Sequence, residues 1–496
     1  MSPRPAPYRR WLQALVAAGV AWRIGRWAIA MPLWRDEANL GLNILLRSFR
    51  ELTEPLDYFQ VAPLLFLWAQ KALFLTLGAG DLAVRLLPTL ASAAALLLFA
   101  RLAVRALPPL DAVIATGFLA ASYYATRYGS EMKPYSLDLL AAVLLLALTL
   151  RVVEEPGDRR AGLLLVALTP LLIGSSYPAL FVAVSAALLL SFRALRQRRL
   201  APVAAGELLA TGGAFFLFFV LATRGQERVT GPHMRDWWVD AFPPGQPWKL
   251  LLWLLDVHTG NLTAYPVGGR YYGSSATFLL MLIGAAVLWR RSRRLMALLS
   301  LPFALTLAAA ALRRYPYGYS ARVAQHLAPS ICLLAGSGAA ALLRRIASER
   351  WRAAVTRGLL SLLVAIAAAG LAMDVLQPYK IAADRQVREV VRHAFRRQPD
   401  RHVVVLGEPA DVRYLWYLSA SRGTTHLDPA GVPGDGTSVS ALVFTRDEAV
   451  LDAFTERLLA KGVYARREDA VSELPLETQD VPPTYCRSVF WTREKP

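Results

Sequence analysis

Two adjacent carboxylates, Asp36 and Glu37, stand in the run Leu33-Trp34-Arg35-Asp36-Glu37-Ala38-Asn39, just past the first apolar stretch of the chain. Carboxylates at the edge of a hydrocarbon layer are solvated, paired or employed. Employed, one of them can take the proton of an attacking hydroxyl. The structural alternative is a helix cap, with Asp36 as N-cap of a helix over 37–50 and Glu37 favoured in its first turn. A second cluster runs from Arg127 to Ser136 and sets Glu131 among Arg127, Lys133, Tyr128 and Tyr135. Acid, bases and aromatics together suit a charged sugar phosphate, and they equally suit a salt-bridged turn. A third cluster, Arg313-Arg314-Tyr315-Pro316-Tyr317-Gly318-Tyr319-Ser320-Ala321-Arg322, is followed by His326 inside an apolar run. A guanidinium meets phosphate oxygens through two parallel hydrogen bonds, which would give Arg314 and Arg322 a use. For His326, a satisfied interior histidine is the simpler reading than a substrate contact.

The elements that must position these residues are apolar helices. The chain has 496 residues, 55% of them hydrophobic and only 18% charged, with a mean hydropathy of +0.36. That composition argues for a multi-pass membrane protein rather than a set of soluble domains. Spanning helices are expected near 11–31, 82–104, 110–127, 136–152, 161–176, 178–194, 203–222, 274–290, 295–312, 323–343 and 355–373, which is about 11 crossings of a hydrocarbon core roughly 30 Å thick. The N-terminal stretch reads as a retained first span, since Arg23 and Arg26 interrupt it and no small-residue cleavage site stands out. The net charge of +19 does not point to nucleic acid, because the arginines come in short bursts between apolar runs. Cys332 and Cys486 make no metal spacing and are assigned no chemistry.

Loop charge sets the orientation. The clusters Arg9-Arg10, Arg101/Arg105, Arg151/Arg159/Arg160, Arg193/Arg196/Arg198/Arg199, Arg290/Arg291/Arg293/Arg294 and Arg344/Arg345/Arg350/Arg352 all fall on one side if the apolar segment 62–79 lies on the surface instead of crossing. The positive-inside rule makes that side the cytoplasm. The N-terminus is then cytoplasmic, and the outer segments are 32–81, 128–135, the Tyr177-Pro178 turn, 223–273, 313–322 and everything after about 374. All three polar clusters come to the outer face. The loop 223–273, with Trp237-Trp238, Pro243-Pro244 and Tyr271-Tyr272-Gly273, has the composition of an irregular lid at the interface. The tail reads as a small soluble α/β domain, 376–496, following a membrane domain over 1–375. Its His402-Val403-Val404-Val405-Leu406-Gly407 run looks like a buried strand, and Ala441-Leu442-Val443-Phe444 repeats the pattern before a helix around 447–461. No Gly-rich phosphate fingerprint follows either strand.

With these segments in order, the chain resembles the GT-C glycosyltransferases, in the branch of family 39 that holds protein O-mannosyltransferases and the aminoarabinose transferase of lipid A. The resemblance runs over roughly 10–375. It rests on Asp36-Glu37, on Val61-Ala62-Pro63-Leu64-Leu65-Phe66, on Leu77-Gly78-Ala79-Gly80-Asp81-Leu82-Ala83-Val84-Arg85-Leu86-Leu87-Pro88, on Tyr128 to Tyr135, and on Tyr315-Pro316 to Pro329. It implies an α-helical multi-pass fold with juxtamembrane helices, a polyprenyl-phosphate sugar donor, an outward-facing cavity and an acidic base in the first loop. Loop 223–273 matches no pattern of the family, so the acceptor, whether lipid, glycan or protein, is not assigned.

The expected chemistry is direct, inverting transfer to an acceptor hydroxyl at the outer face of a bacterial cytoplasmic membrane, with no covalent carboxylate partner. Asp36 is the expected base, Glu37 orients the acceptor, Glu131 positions it or helps to bind a cation, and Lys133, Arg314 and Arg322 hold the donor phosphate. Tyr128, Tyr135, Tyr315 and His326 are candidate substrate contacts. The carboxylates leave room for a divalent cation, although no His-rich ligand spacing assigns one. A transporter or lipid flippase is the alternative from another class. Such proteins place ionisable groups near the bilayer midplane and often show paired broken helices, whereas the conspicuous charges here collect in outer loops.

Overall fold

The apolar runs form helices, as their length and period require. The computed structural model describes residues 6–269, 274–396, 402–408, 411–421, 424–426, 439–445, 447–460, 464–474 and 484–493. Tyr271-Tyr272-Gly273 lies outside the described residues. In chain order the helices are α1 (Ala6–Ala28), α2 (Arg35–Leu46), α3 (Leu64–Leu77), α4 (Leu86–Ala106), α5 (Pro109–Ala120), α6 (Tyr123–Gly129), α7 (Tyr135–Glu154), α8 (Arg159–Ser175), α9 (Ala179–Ala194), α10 (Ala201–Phe218), α11 (Arg224–Trp237), α12 (Pro247–Thr259), α13 (Ser275–Arg291), α14 (Arg293–Ala311), α15 (Ala328–Arg344), α16 (Glu349–Leu376) and α17 (Ala382–Arg396). Prolines open α5, α10, α12 and α15, where a missing N–H leaves no bond unmade. Asp158 and Ser292 cap α8 and α14 by accepting from Ala161 and Leu295 N–H at 3.0 and 3.3 Å.

Six helical stretches among the described residues are long and apolar enough to cross a bilayer: Ala83–Ala106, Tyr135–Glu154, Arg198–Trp237, Arg293–Ala311, Gln325–Arg344 and Glu349–Leu376. Leu64–Leu77, Pro109–Ala120 and Ala179–Ala194 are apolar but shorter. The protein is therefore largely helical and multi-pass, with a small β-containing region at its C-terminal end.

Three local expectations are corrected. The stretch 110–127 is not one helix, because α5 stops at Ala120 and Ser122 starts α6 by accepting from Ala125 N–H at 3.3 Å. The loop 223–273 is not irregular throughout. A π turn over Phe219–Thr223 carries α10 on into α11, and α12 follows within the same loop. The first acidic helix is α2, Arg35–Leu46, rather than 37–50, and its N-cap is Trp34 instead of Asp36.

By contact, the chain divides into two units. The first comprises Met1–Ile29, Phe49–Gln70 and Arg85–Leu376, and the second Ala30–Ser48, Lys71–Val84 and Gln377–Pro496. Within the first, α15 is almost wholly buried, from Ala328 through Ala340. It crosses α13 at glycines. A Cβ on Gly284 would lie 1.8 Å from the Leu334 carbonyl oxygen, and one on Gly338 1.9 Å from that of Leu280. Lipid tails are as apolar as leucine, so helices in a bilayer associate through close packing, and small residues let their backbones meet. Several ionisable groups buried in this unit find partners. Arg344 bonds both Asp111 oxygens, at 2.5 and 3.1 Å, and Glu207 accepts from Thr169 at 2.9 Å. Arg23 donates to Ser92 at 2.9 Å and to the Gly19 carbonyl at 2.8 Å.

The second unit is built on a five-stranded sheet of order β2-β1-β3-β5-β4, with β1 His402–Leu406, β2 Thr424–His426, β3 Val439–Val443, β4 Tyr464–Leu474 and β5 Thr484–Arg493. Strand β1 runs parallel to β2 and β3, while β5 runs antiparallel to β3 and β4. Helices α18 (Val412–Ala420) and α19 (Glu448–Leu459) complete it. Val404, Leu406, Ala441, Val443, Leu451, Phe454 and Trp491 share one buried core. The valine run at 402–406 and the helix before residue 460 thus stand where the alternation of apolar segments puts them. Buried Arg413 joins Asp411 and Asp384, which ties α18 to α17. Burial pushes the Asp384 carboxyl up to about 6, against the opposing pull of the Arg413 guanidinium.

Candidate active site

The candidate residues fall into two groups, one in each unit. The acidic pair belongs to the second. Trp34 is extended, at φ −88° and ψ 164°, and α2 begins at Arg35. Asp36 and Glu37 occupy the first helical turn, where the unpaired N–H groups favour negative charge. Glu37 is fully buried, and its carboxylate accepts the Trp34 N–H at 3.4 Å. Glu37 therefore serves the start of the helix. Asp36, one residue earlier, is half-buried.

The segment leading into α2 is held by the C-terminal helices. Leu33 N–H donates to the Tyr417 hydroxyl of α18 at 2.8 Å. The Ala30 carbonyl accepts from the Arg388 guanidinium of α17, which also donates to Asp81 at 3.1 Å. Arg392 adds a second bond to Asp81 at 2.5 Å. The Lys380 ammonium lies over the Trp34 ring, 2.8 Å from its centroid. Ala30 itself has φ 52°, in the left-handed region that an alanine seldom occupies.

The second group lies in the first unit, around α6 and the turn into α7. The rings of Tyr123, Tyr124, Tyr128 and Tyr135 follow one another with centroids 5.5, 5.8 and 5.5 Å apart. Arg127 lies beside Tyr123 and Tyr128, 5.8 and 5.7 Å from their centroids. It donates to Glu131 Oε1 at 3.3 Å. Glu131 is buried, and its Oε2 finds no hydrogen-bond partner among the described residues. Burial, reinforced by the Glu131 carboxylate, pushes the Tyr128 phenol up to about 12. At neutral pH Tyr128 is thus a neutral hydrogen-bonding group and no base. Arg322 acts on the same phenol, and its guanidinium lies 4.8 Å from the centroid of the Trp238 ring. Buried Lys133 donates to Gln60 Oε1 at 2.7 Å. Beneath this turn, Arg26 of α1 donates to Ser130 at 2.8 Å and pairs with Asp374 of α16.

The structure thus gathers Tyr128, Glu131, Tyr135 and Arg322. Tyr315 packs on Phe181 at 5.3 Å, and Phe181 in turn lies 5.7 Å from the His326 ring. His326 is buried, with Nε2 2.9 Å from the Thr306 hydroxyl. Arg314 goes elsewhere. It is exposed and pairs with Glu227 of α11 at 2.8 Å. Sequence reasoning did not find Gln60, Trp238, Arg26 or Asp374. It also passed over Tyr58 and Phe59, consecutive aromatics at φ 58° and 53°, a conformation that costs a bulky residue of order 1–3 kcal/mol. Among the described residues no group of three or more His, Cys, Asp or Glu side chains could hold a metal ion.

Three solved structures share the architecture of the chain. ArnT from Cupriavidus metallidurans, in the apo state, is 13% identical with a TM-score of 0.50, over 96% of this chain and 97% of that one. The Archaeoglobus fulgidus oligosaccharyltransferase in complex with Zn and sulfate is 13% identical with a TM-score of 0.53, over 96% and 72%. Oligosaccharyltransferase AglB of the same organism, in complex with an inhibitory peptide and a dolichol-phosphate, is 13% identical with a TM-score of 0.50, over 96% and 75%. The sequence matches no protein-family model and none of the curated proteins. At such identities the likeness is one of fold, and the fold is GT-C-like.

Proposed function

We propose that the protein is a membrane glycosyltransferase of the family 39 type that moves a sugar from a polyprenyl-phosphate donor to an acceptor hydroxyl outside a bacterial cytoplasmic membrane. The observation that carries this reading is a GT-C-like fold along 96% of the chain in which a half-buried Asp36 stands in the first turn of the first helix after α1. The dolichol-phosphate bound to AglB supports a lipid-phosphate donor here.

The acceptor oxygen attacks the anomeric carbon and forms the new C–O bond as the bond from that carbon to the phosphate oxygen breaks. The electron pair leaves with the polyprenyl phosphate. Asp36 takes the hydroxyl proton, and the anomeric centre inverts because one displacement occurs. Lys133 and Arg322 offset the charge that develops on the phosphate. Glu131, with one oxygen committed to Arg127, orients the acceptor. Tyr128, Tyr135, Tyr315 and His326 line the substrate path.

The test is single-turnover transfer from a labelled polyprenyl-phosphate sugar by purified, detergent-solubilised protein. Asp36→Asn should lower turnover by about 10² to 10⁴ and leave donor affinity and thermal stability near wild type. Wild-type turnover in both Asp36→Asn and Glu37→Gln would end the claim for the pair. Movement of labelled lipid across vesicles without sugar transfer would favour a flippase.

A further inference from the structure

We propose that the C-terminal α/β domain positions the acidic pair, with Arg388 and Tyr417 as the positioning residues; this rests on the assignment of Asp36 as the base. Six residues, Ile29 to Trp34, separate α1 from Arg35 at the start of α2, and the direction of α2 follows from their backbone. That backbone is held at both ends from the tail. Arg388 fixes the Ala30 carbonyl and Tyr417 takes the Leu33 N–H. Lys380 covers the Trp34 ring next to the helix start. Ala30 stands in the left-handed conformation two residues past the end of α1, a costly one for alanine, and the bond to its carbonyl helps to hold it there.

The hold extends to a second outer segment. Asp81, at the end of the Gly78–Asp81 turn, accepts from both Arg388 and Arg392, so one guanidinium ties two segments to α17. The arginine is itself braced along its helix, since α17 is joined to α18 through Asp384 and Arg413. A base must meet its proton within hydrogen-bond reach, and misplacement by about an ångström can cost as much as 10²-fold in rate. The C-terminal domain thereby acts on the rate through the loop it grips.

Tyr417→Phe removes one hydroxyl and keeps the packed ring, and Arg388→Ala removes the clamp. In the full-length protein both should raise deuterium uptake over 30–46 and leave 402–406 unchanged. Single-turnover rate should fall roughly ten- to a hundredfold, with donor KM within about twofold, and Arg388→Lys should recover part of the loss. Wild-type uptake at 30–46 with wild-type rate in both variants would overturn the proposal. So would uptake rising equally through 402–406, which would mean that the domain had merely come apart. Asp36→Asn, run alongside, separates the two claims. If it turns over normally, the base assignment fails, and a rate loss confined to Tyr417→Phe and Arg388→Ala would still support positioning through this segment.

Discussion

Arg322 lies over the Trp238 ring and its charge acts on the Tyr128 phenol; a planar guanidinium can stack on the ring and still present a fork of donors to a phosphate. Lysine keeps the charge and loses both properties. Arg322→Lys should weaken binding of a polyprenyl-phosphate sugar by about tenfold, the equivalent of roughly 1.4 kcal/mol, and Lys133→Ala by a comparable factor. Arg314→Ala should cost less, because Arg314 already shares its charge with Glu227 at the surface. Equilibrium binding in detergent decides the matter, and unchanged affinity in the first two variants would remove those cations from the donor site. At this scale the sequence announces residue types better than their partners. Lys133 reads as a cation on an outer loop, but its partner Gln60 lies 73 residues away in a stretch with no pattern of its own. The helix start misleads for a related reason. Asp is a favoured N-cap and Trp is not, yet the cap falls on Trp34 because Glu37 answers its N–H from the third helical position.

Among the elements, the α13–α15 crossing depends on atoms that are missing. Gly338→Val would put carbon 1.9 Å from a backbone oxygen of Leu280, and neither helix can yield without opening the contact. Thermal unfolding of this variant in detergent should begin well below wild type, at a cost of several kcal/mol, beyond the roughly 1–3 kcal/mol typical of overpacking. Gly358→Ala is the control, since a Cβ there meets nothing within 4 Å, and its expected effect is neutral to slightly stabilising. Equal melting of the two variants would remove the crossing as a source of stability. Apolar runs make most helices legible in the sequence, and the valine run at 402–406 makes a strand legible in the same way. Helix α12 is not, because Trp, Pro and Gly around it carry a strong loop signal. The apolar positions Trp248, Leu251, Leu252 and Leu255 recur at helical spacing nonetheless, and their side chains are exposed. Span number is the least legible property, since a helix of 12 residues such as α5 and one of 28 such as α16 leave similar apolar runs.

For the whole molecule, the proposed orientation puts Gly80 outside and Gln197 in the cytoplasm. Both sites are exposed, and a side chain at Gly80 would meet no neighbour. In intact cells, a cysteine at Gly80 should react with an impermeant thiol reagent while one at Gln197 reacts only after the membrane is opened; the reverse pattern would invert the topology. The native Cys332 and Cys486 are both buried, so background labelling should be low. The grip on the acidic segment also bears on how the protein is made. Leu33 and its partner Tyr417 are 384 positions apart, and Ala30 and Arg388 are 358 apart. At a synthesis rate of about 5–20 residues per second, Asp36 waits roughly 20 to 75 seconds for the residue that seats its loop. A nascent or prematurely terminated chain can insert its helices and still lack a seated acidic pair. A stretch made more than 350 residues later would then seat the loop that carries Asp36.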